Sequence, residues 1–279
     1  MADVDLDVYC ARIGYSGPRR ATLAVLRVLH RLHPAAIPFE AVDVQLGRGV
    51  SLDPAVIDAK LIGARRGGYC FEQNSLFKRV LRAMGFEVSN LLARVRWQIP
   101  DGEPRPATHM ALRVRLGDED WMADIGFGSA TLTAPIRLAS RDPQPTAYEP
   151  VRLRSVDDGL RLEVEIHGVW RAVYDLMPYE PRDVDYLTPN WFTSTHPDSL
   201  FRHTLVVSRT DFDIRYVLAD NQLTVRERGA ATRRRRLDAD ALERALIDDF
   251  RLPVRPDWRP VLERAVARGS AAPTSPSPP

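Results

Sequence analysis

Lysine and cysteine are the scarce residues of this chain. Its 279 residues include 39 basic side chains, yet only Lys60 and Lys78 are lysines. The two cysteines, Cys10 and Cys70, lie sixty positions apart. A disulfide framework or a metal cluster needs more ligands at closer spacing, so Cys70 is expected to be a free thiol and no metal is expected as cofactor. Long hydrophobic runs are missing too, and none approaches the ~20 residues of a spanning helix. The start, MADVDLDVYC, is acidic and lacks the basic-then-apolar layout of a secretory signal. The expectation is a cytoplasmic protein without a membrane partner. Charge is nearly balanced at a formal +2, which gives no reason to expect an acidic polymer as partner. The run Arg233 to Arg236 has no interleaved aromatics and reads as a solvated loop, not a nucleic-acid patch. Internal repeats are absent, and GFGS at Gly126 to Ser129 is too short for a Walker-type phosphate loop.

What is present fits an ordinary globular chain, 44% hydrophobic and 27% charged, long enough to bury one large core or two to three smaller ones. In ATLAVLRVLHRLH, Leu23, Leu26, Leu29 and Leu32 fall three apart, the spacing of one helix face, and Pro34 is expected to end that helix. His30 and His33 on it read as surface or capping residues. Asp53-Pro54 announces a second helix, an N-cap residue followed by proline at the first helical position, running to about Ala64. A third, CFEQNSLFKRVLRAMGF, has Phe71, Phe77, Leu81 and Met84 for a buried face and Gly85 just past its end.

The texture then turns to β. Runs at 90–99, 108–116, 121–125, 151–155, 160–166 and 169–175, punctuated by Gly, Pro and Asp, suggest a barrel or a sandwich. Further strands are expected at 204–208, 212–218 and 222–226, then a helix at 238–250. The end, RGSAAPTSPSPP, has the composition of a disordered segment. The expected division is 1–86, 87–190, 191–267 and a tail at 268–279.

Cysteine is a strong nucleophile only as thiolate, and a helix N-terminus both lowers a thiol pKa and offers free N–H groups. Cys70 stands at such an end, after Gly67-Gly68, which permit a tight turn and close approach of a substrate. Of six histidines, His109 differs from the rest: it opens the strand THMALRV, and after a short turn WMADIG carries Asp124. Adjacent antiparallel strands can set the two side by side or diagonal, where a carboxylate fixes the imidazole tautomer and stabilises its cation. Each residue alone also fits a structural role. Cys, then His, then Asp is equally the order of thiol hydrolases and transglutaminase-like enzymes.

RRGGYCFEQN around Cys70 and DIGFG at Asp124 to Gly128 resemble the hallmark segments of the arylamine N-acetyltransferase family, bacterial type. YCARIGYSGPR, IPFE at Ile37 to Glu40, LGR at Leu46 to Arg48 and NWFTSTHPDSLF at Asn190 to Phe201 are similar to that family's segments in the same order. Ala41-Val42 departs from the Asn-Leu that often follows IPFE, and the last ~12 residues fall outside the likeness.

The resemblance implies an α+β chain of three parts with a cysteine-protease/transglutaminase-like core. A helical bundle would carry the cysteine, an antiparallel β-barrel would carry His and Asp, and an α/β lid would follow. It implies an acyltransferase with a Cys70–His109–Asp124 triad that moves an acetyl group from acetyl-CoA through acetyl-Cys70 to an aromatic amine or hydrazine, acting as monomer or homodimer. Phe39, Phe127 and Phe201 are implied as walls for the aromatic ring. Trp97, Thr108, Gly126, Gly128 and Ser129 are implied along CoA. The alternatives are a related amide synthase closing a macrolactam in polyketide biosynthesis, and a thiol hydrolase with the same triad.

Overall fold

The computed structural model describes residues 4–100, 102–157 and 159–271. The chain opens with α1 (Leu6–Ile13), capped by the Asp5 carboxylate, and α2 (Leu23–Ala36), capped by the Thr22 hydroxyl. Val25, Leu26 and Leu29 of α2 are buried, as the periodicity predicts. Pro34 does not end α2 but lies inside its last turn, and the Ile37 N–H still reaches the His33 carbonyl at 2.7 Å. So near the end, a proline removes little more than its own bond to the His30 carbonyl. β1 (Phe39–Glu40), α3 (Val42–Gln45) and α4 (Pro54–Asp58) follow. Asp53 caps α4 through the N–H groups of Ala55 and Val56, and one π-turn at 59–63 extends it. α5 (Cys70–Ala83) is the expected third helix, with Phe71, Phe77 and Leu81 fully buried.

β2 (Glu87–Val95), β3 (Ala107–Leu116), β4 (Glu119–Ala123), β5 (Ile136–Arg137), β6 (Val151–Val156), β7 (Gly159–Ile166) and β8 (Val169–Leu176) form one antiparallel sheet. Its order is β5-β4-β3-β2-β8-β7-β6, and among the described residues its edge strands β5 and β6 do not pair. One face packs on α2 and α5 through Leu92, Met110, Leu112 and Trp121. The opposite face builds a second cluster with Ala111, Met122, Leu153 and Tyr174. β3 is buried on both faces from His109 to Leu112, while Arg113 and Arg115 mark one face that returns toward solvent.

After α6 (Leu187–Thr195) and α7 (Leu200–His203) come β9 (Val206–Thr210), β10 (Ile214–Ala219), β11 (Gln222–Glu227) and β12 (Arg233–Arg236), then α8 (Ala239–Asp248) and α9 (Arg259–Ala271). Two sequence expectations are corrected here. Arg233 to Arg236 are not a loop but β12, an exposed edge strand paired with β11. An edge strand with solvent beside it can carry four charges, and that charge discourages further pairing. Residues 268–271, expected in the disordered tail, close α9, and 272–279 lie outside the described residues.

β1, from the expected helical part, pairs with β9 through Phe39↔Ser208 and Glu40↔Val207 and so completes the C-terminal sheet. The same short segment grips the turn before α5. The Gly68 N–H donates to the Pro38 carbonyl at 3.3 Å and the Glu40 N–H to the Gly68 carbonyl at 3.1 Å. A Cβ on Gly67 would overlap the Pro38 carbonyl oxygen and come within 2.8 Å of Glu40 Cγ. Gly67→Ala is therefore expected to destabilise the fold by roughly 1–3 kcal/mol through overpacking. Urea denaturation checks this, and an unchanged midpoint would contradict the contact.

Candidate active site

Cys70 is the first residue of α5, where N–H groups of the first turn have no intrahelical acceptor. Glu72 secures that end, its Oε2 accepting the Tyr69 N–H at 3.0 Å while Oε1 accepts from Lys60 Nζ at 2.7 Å. Lys60 also meets Asp43 at 2.9 Å, and Arg66 bridges Asp43 and Glu40, each at 2.8 Å. This near-buried ion network underlies the Gly67-Gly68 turn.

Cys70 Sγ is almost buried, at 5% residue exposure, and lies 3.8 Å from the Thr108 carbonyl. The next residue on β3 is His109. The register Leu112↔Ala123, extended by one pair, sets Asp124 opposite Ala111, so His109 is its diagonal neighbour on one face. The His109 Nε2–H donates to Asp124 Oδ2 at 2.7 Å, leaving Nδ1 for the thiol side. The Tyr174 hydroxyl also donates to Oδ2 at 2.9 Å, and Oδ1 accepts from Asn74 Nδ2 and the Gly126 N–H, both at 3.0 Å. Four donors thus surround one fully buried carboxylate.

Burial alone would push Asp124 up, but the His109 cation, the Gly126 N–H and the Asn74 amide outweigh it and hold the carboxyl below its ordinary range. Burial likewise pulls His109 down. The adjoining carboxylate, with help from Cys70, more than reverses this, and the imidazole is pushed up to about 10.

Gly126 explains how the loop after β4 comes so close. A Cβ there would meet the Cys70 Cα and Asn74 Nδ2, each at 2.9 Å. Its close approach is thus to the chain's own α5. Gly128 is buried against the Phe39 ring, 3.4 Å from where its Cβ would stand. Half-buried Phe127 meets the His109 ring edge-on at 5.1 Å, and Trp97 adjoins Phe127 at 6.4 Å. Phe39 and Phe201 pack together at 5.8 Å, with Tyr69 6.0 Å from Phe201. Half-buried Ser129 has its carbonyl held by Arg215 Nη1 at 2.7 Å and Arg226 Nη2 at 3.0 Å.

The structure therefore brings Cys70, His109 and Asp124 together, with Thr108, Gly126 and Phe127 in contact with them. Phe39 and Phe201 form a separate aromatic pair, joined to this group through Gly128. Tyr174 was missed, because its approach to Asp124 depends on the long-range pairing Val95↔Tyr174. Asn74 had a usable signal, lying four residues after Cys70 on the same helix face. Among the described residues, no cluster of His, Cys, Asp and Glu is set to hold a metal ion.

The N-acetyltransferase family model matches residues 22–259. The arylamine N-acetyltransferase of Escherichia coli (strain K12) is 41% identical over 251 residues, covering 89% of this chain and 89% of that protein. Among solved structures, the arylamine N-acetyltransferase from M. tuberculosis matches with a TM-score of 0.89 at 34% identity, covering 94% of this chain and 100% of the other. The Mycobacterium marinum arylamine N-acetyltransferase in complex with CoA matches with a TM-score of 0.89 at 37% identity, covering 95% and 99%.

The His109–Asp124 bond also sets a pH dependence of stability. Asp124, with its pKa depressed, contributes stability above its unfolded value of about 3.9 and loses it as pH falls through the folded pKa. His109, with its pKa raised, contributes fully below about 6.5 and loses this as pH rises through about 10. The difference in melting temperature between the native protein and Asp124→Asn is thus expected to be widest between about pH 4 and 6.5 and to narrow toward pH 10. Thermal melts across that range check it, and a constant gap would contradict it.

Proposed function

Because the chain belongs to the arylamine N-acetyltransferase family, we propose that it transfers the acetyl group of acetyl-CoA to aromatic amines and hydrazines through an acetyl-Cys70 intermediate. The observation that carries this reading is the thiol at the start of α5 beside an imidazole whose other nitrogen is bonded to a caged carboxylate. Cys70 is the nucleophile, His109 the proton carrier, and Asp124 the group that orients the ring and stabilises its cation.

In the first half-reaction the Cys70 proton goes to His109, and Sγ attacks the thioester carbonyl. The new C–S bond forms, the bond to CoA breaks, and the departing sulfur takes the proton from His109. Thioester is exchanged for thioester, so the step is nearly isoenergetic and the acyl group stays activated. In the second half the amine nitrogen attacks the acetyl-Cys70 carbonyl, its proton passes to His109, and Sγ leaves to regain that proton. An arylamine suits this half because its nitrogen is uncharged near neutral pH. The N–H groups of the first turn of α5, which lack intrahelical acceptors, are assigned as the donors for the oxyanion, each typically worth ~3 kcal/mol.

Phe127, edge-on to His109, supports an aromatic ring held next to the acyl-carrying sulfur. Phe39 and Phe201, the separate pair beside Gly128, are assigned as a second wall for the ring. Trp97, Thr108 and Ser129, each half-buried, are assigned to the CoA thioester arm, Trp97 adjoining Phe127 at 6.4 Å. Gly126 and Gly128 serve this arm through their backbone, since their side-chain space is taken by α5 and Phe39.

The same reading divides the chain into a helical part with the nucleophile, a barrel-like sheet with His109 and Asp124, and a C-terminal lid, with β1 crossing from the first part to the third. Cys10 and Cys70 are both free thiols, which suits the reducing cytoplasm.

Incubation with acetyl-CoA followed by intact-mass measurement tests the reading. One acetyl group is expected on the native protein and none on Cys70→Ala, and adding an arylamine should return the native mass with release of the N-acetyl product. His109→Ala should take up acetyl at a rate lower by 100-fold or more. No adduct under saturating acetyl-CoA would overturn it.

A further inference from the structure

The buried face of α2 holds two histidines with no part in the transfer. His30 and His33 lie one turn apart and are both fully buried, not the surface or capping residues that the sequence suggested. His30 Nε2 is 3.1 Å from the main-chain N of Asp124. A main-chain N–H only donates, so this nitrogen accepts and the neutral ring carries its proton on Nδ1. His33 is fixed in the opposite tautomer. The Gln73 amide nitrogen faces three carbonyls, those of Ile37, Pro38 and Gly68, so its oxygen is the atom 2.6 Å from His33 Nε2. Nε2 of His33 therefore donates, and Nδ1 accepts from the Tyr9 hydroxyl at 2.8 Å.

We infer that α2 is a brace that sets the triad acid and the nucleophile against each other, with His30 and His33 as its positioning residues. His30 acts through the Asp124 main chain, and His33 acts through Gln73 on the Gly68 turn that leads into Cys70. Asp124 needs such a partner, because the ladder between β3 and β4 ends at Leu112↔Ala123 and leaves its N–H without a strand acceptor. A buried N–H without an acceptor is destabilising, and relief by rotation would move the carboxylate away from His109.

The inference rests on the acyl-transfer reading, but its deciding readout uses neither acetyl-CoA nor amine. Alkylation of Cys70 by iodoacetamide, followed across pH with Cys70→Ala as the blank for Cys10, reads the thiolate directly. The titratable groups facing the thiol are His109, with Asp124 behind it, and Tyr69 and Tyr186, both kept protonated by burial. Around His30 they are Asp124 and His33, with the Phe77 ring edge-on.

Folded His30→Leu is expected to shift the alkylation profile upward by about one pH unit. That is roughly tenfold slower alkylation on the acid side of the native midpoint, and kcat should fall with it while the KM for acetyl-CoA holds. His30→Gln, whose amide oxygen can accept the same N–H, should remain near the native profile. An unshifted profile in folded His30→Leu overturns the inference. A reading that needs no variant is the 15N spectrum of the native histidines, where His30 should be the Nδ1–H tautomer, and a proton on Nε2 overturns it. Absence of an acetyl adduct alongside a normal alkylation profile would instead count against the transfer reading.

Discussion

The Asp124 carboxylate is a full negative charge with no exposed surface, and the rest of the site is arranged around that fact. A buried carboxylate is tolerable only when its oxygens are occupied by donors. The donors come from β3 (His109), β8 (Tyr174), α5 (Asn74) and the loop after β4 (Gly126). Satisfying one charge thus ties one helix to two strands and a loop that meet nowhere else in sequence. Asn74 uses both of its N–H donors, since its Nδ2 also donates to the Met110 carbonyl at 2.7 Å, and its Oδ1 accepts from the Ile125 N–H at 3.3 Å. Cys70 and Asn74 share a face of α5, so the group that fixes the acid also fixes the thiol.

Charge is placed with similar economy on the other side of Cys70. Both lysines of the chain tie α5 to its surroundings: Lys60 binds Glu72 at its start, and Lys78, within α5, binds Asn90 at 3.2 Å and Asp183. A lysine ammonium is compact and can sit between Asp43 and Glu72, where a planar guanidinium would need a wider slot. Arg66, with more room, spans Glu40 and Asp43 and lies 5.0 Å over the Trp258 ring. Breaking one member would leave a buried charge without its partner, which costs more than the pair contributes.

Local features were legible in the sequence, and long-range ones were not. Asp53-Pro54 capped a helix, α5 began at Cys70, and β3 and β4 were read close to their true bounds, because caps, periodicity and a short hairpin involve only near neighbours. The His109–Asp124 diagonal followed from that hairpin once its register was known. Tyr174 and the pairing of Phe39 with Ser208 depend on strands that meet across most of the chain, which no local pattern encodes. The histidines of α2 were misjudged for a related reason. Polar side chains read as solvent-facing unless the partner that satisfies them is visible, and their partners lie 40 and 94 positions away.

Those histidines also separate burial from charge as causes. His30, His33 and His109 are all essentially removed from water, and burial acts on each in the same direction, against the cation. His30 falls to about 4 and His33 to about 3, whereas His109 is pushed up to about 10. The difference lies in what each ring faces. Asp124 also raises His30, but too weakly to offset burial, because that ring bonds only the Asp124 main-chain N–H; His33 faces a tyrosine hydroxyl and a carboxamide, whereas His109 is bonded to the Asp124 carboxylate itself. Two neutral rings can therefore keep fixed bonds throughout a catalytic cycle, His30 as acceptor and His33 as donor and acceptor, while the third changes protonation beside the thiol. The sorting needs no difference in exposure, only one carboxylate held where a single histidine can reach it side chain to side chain.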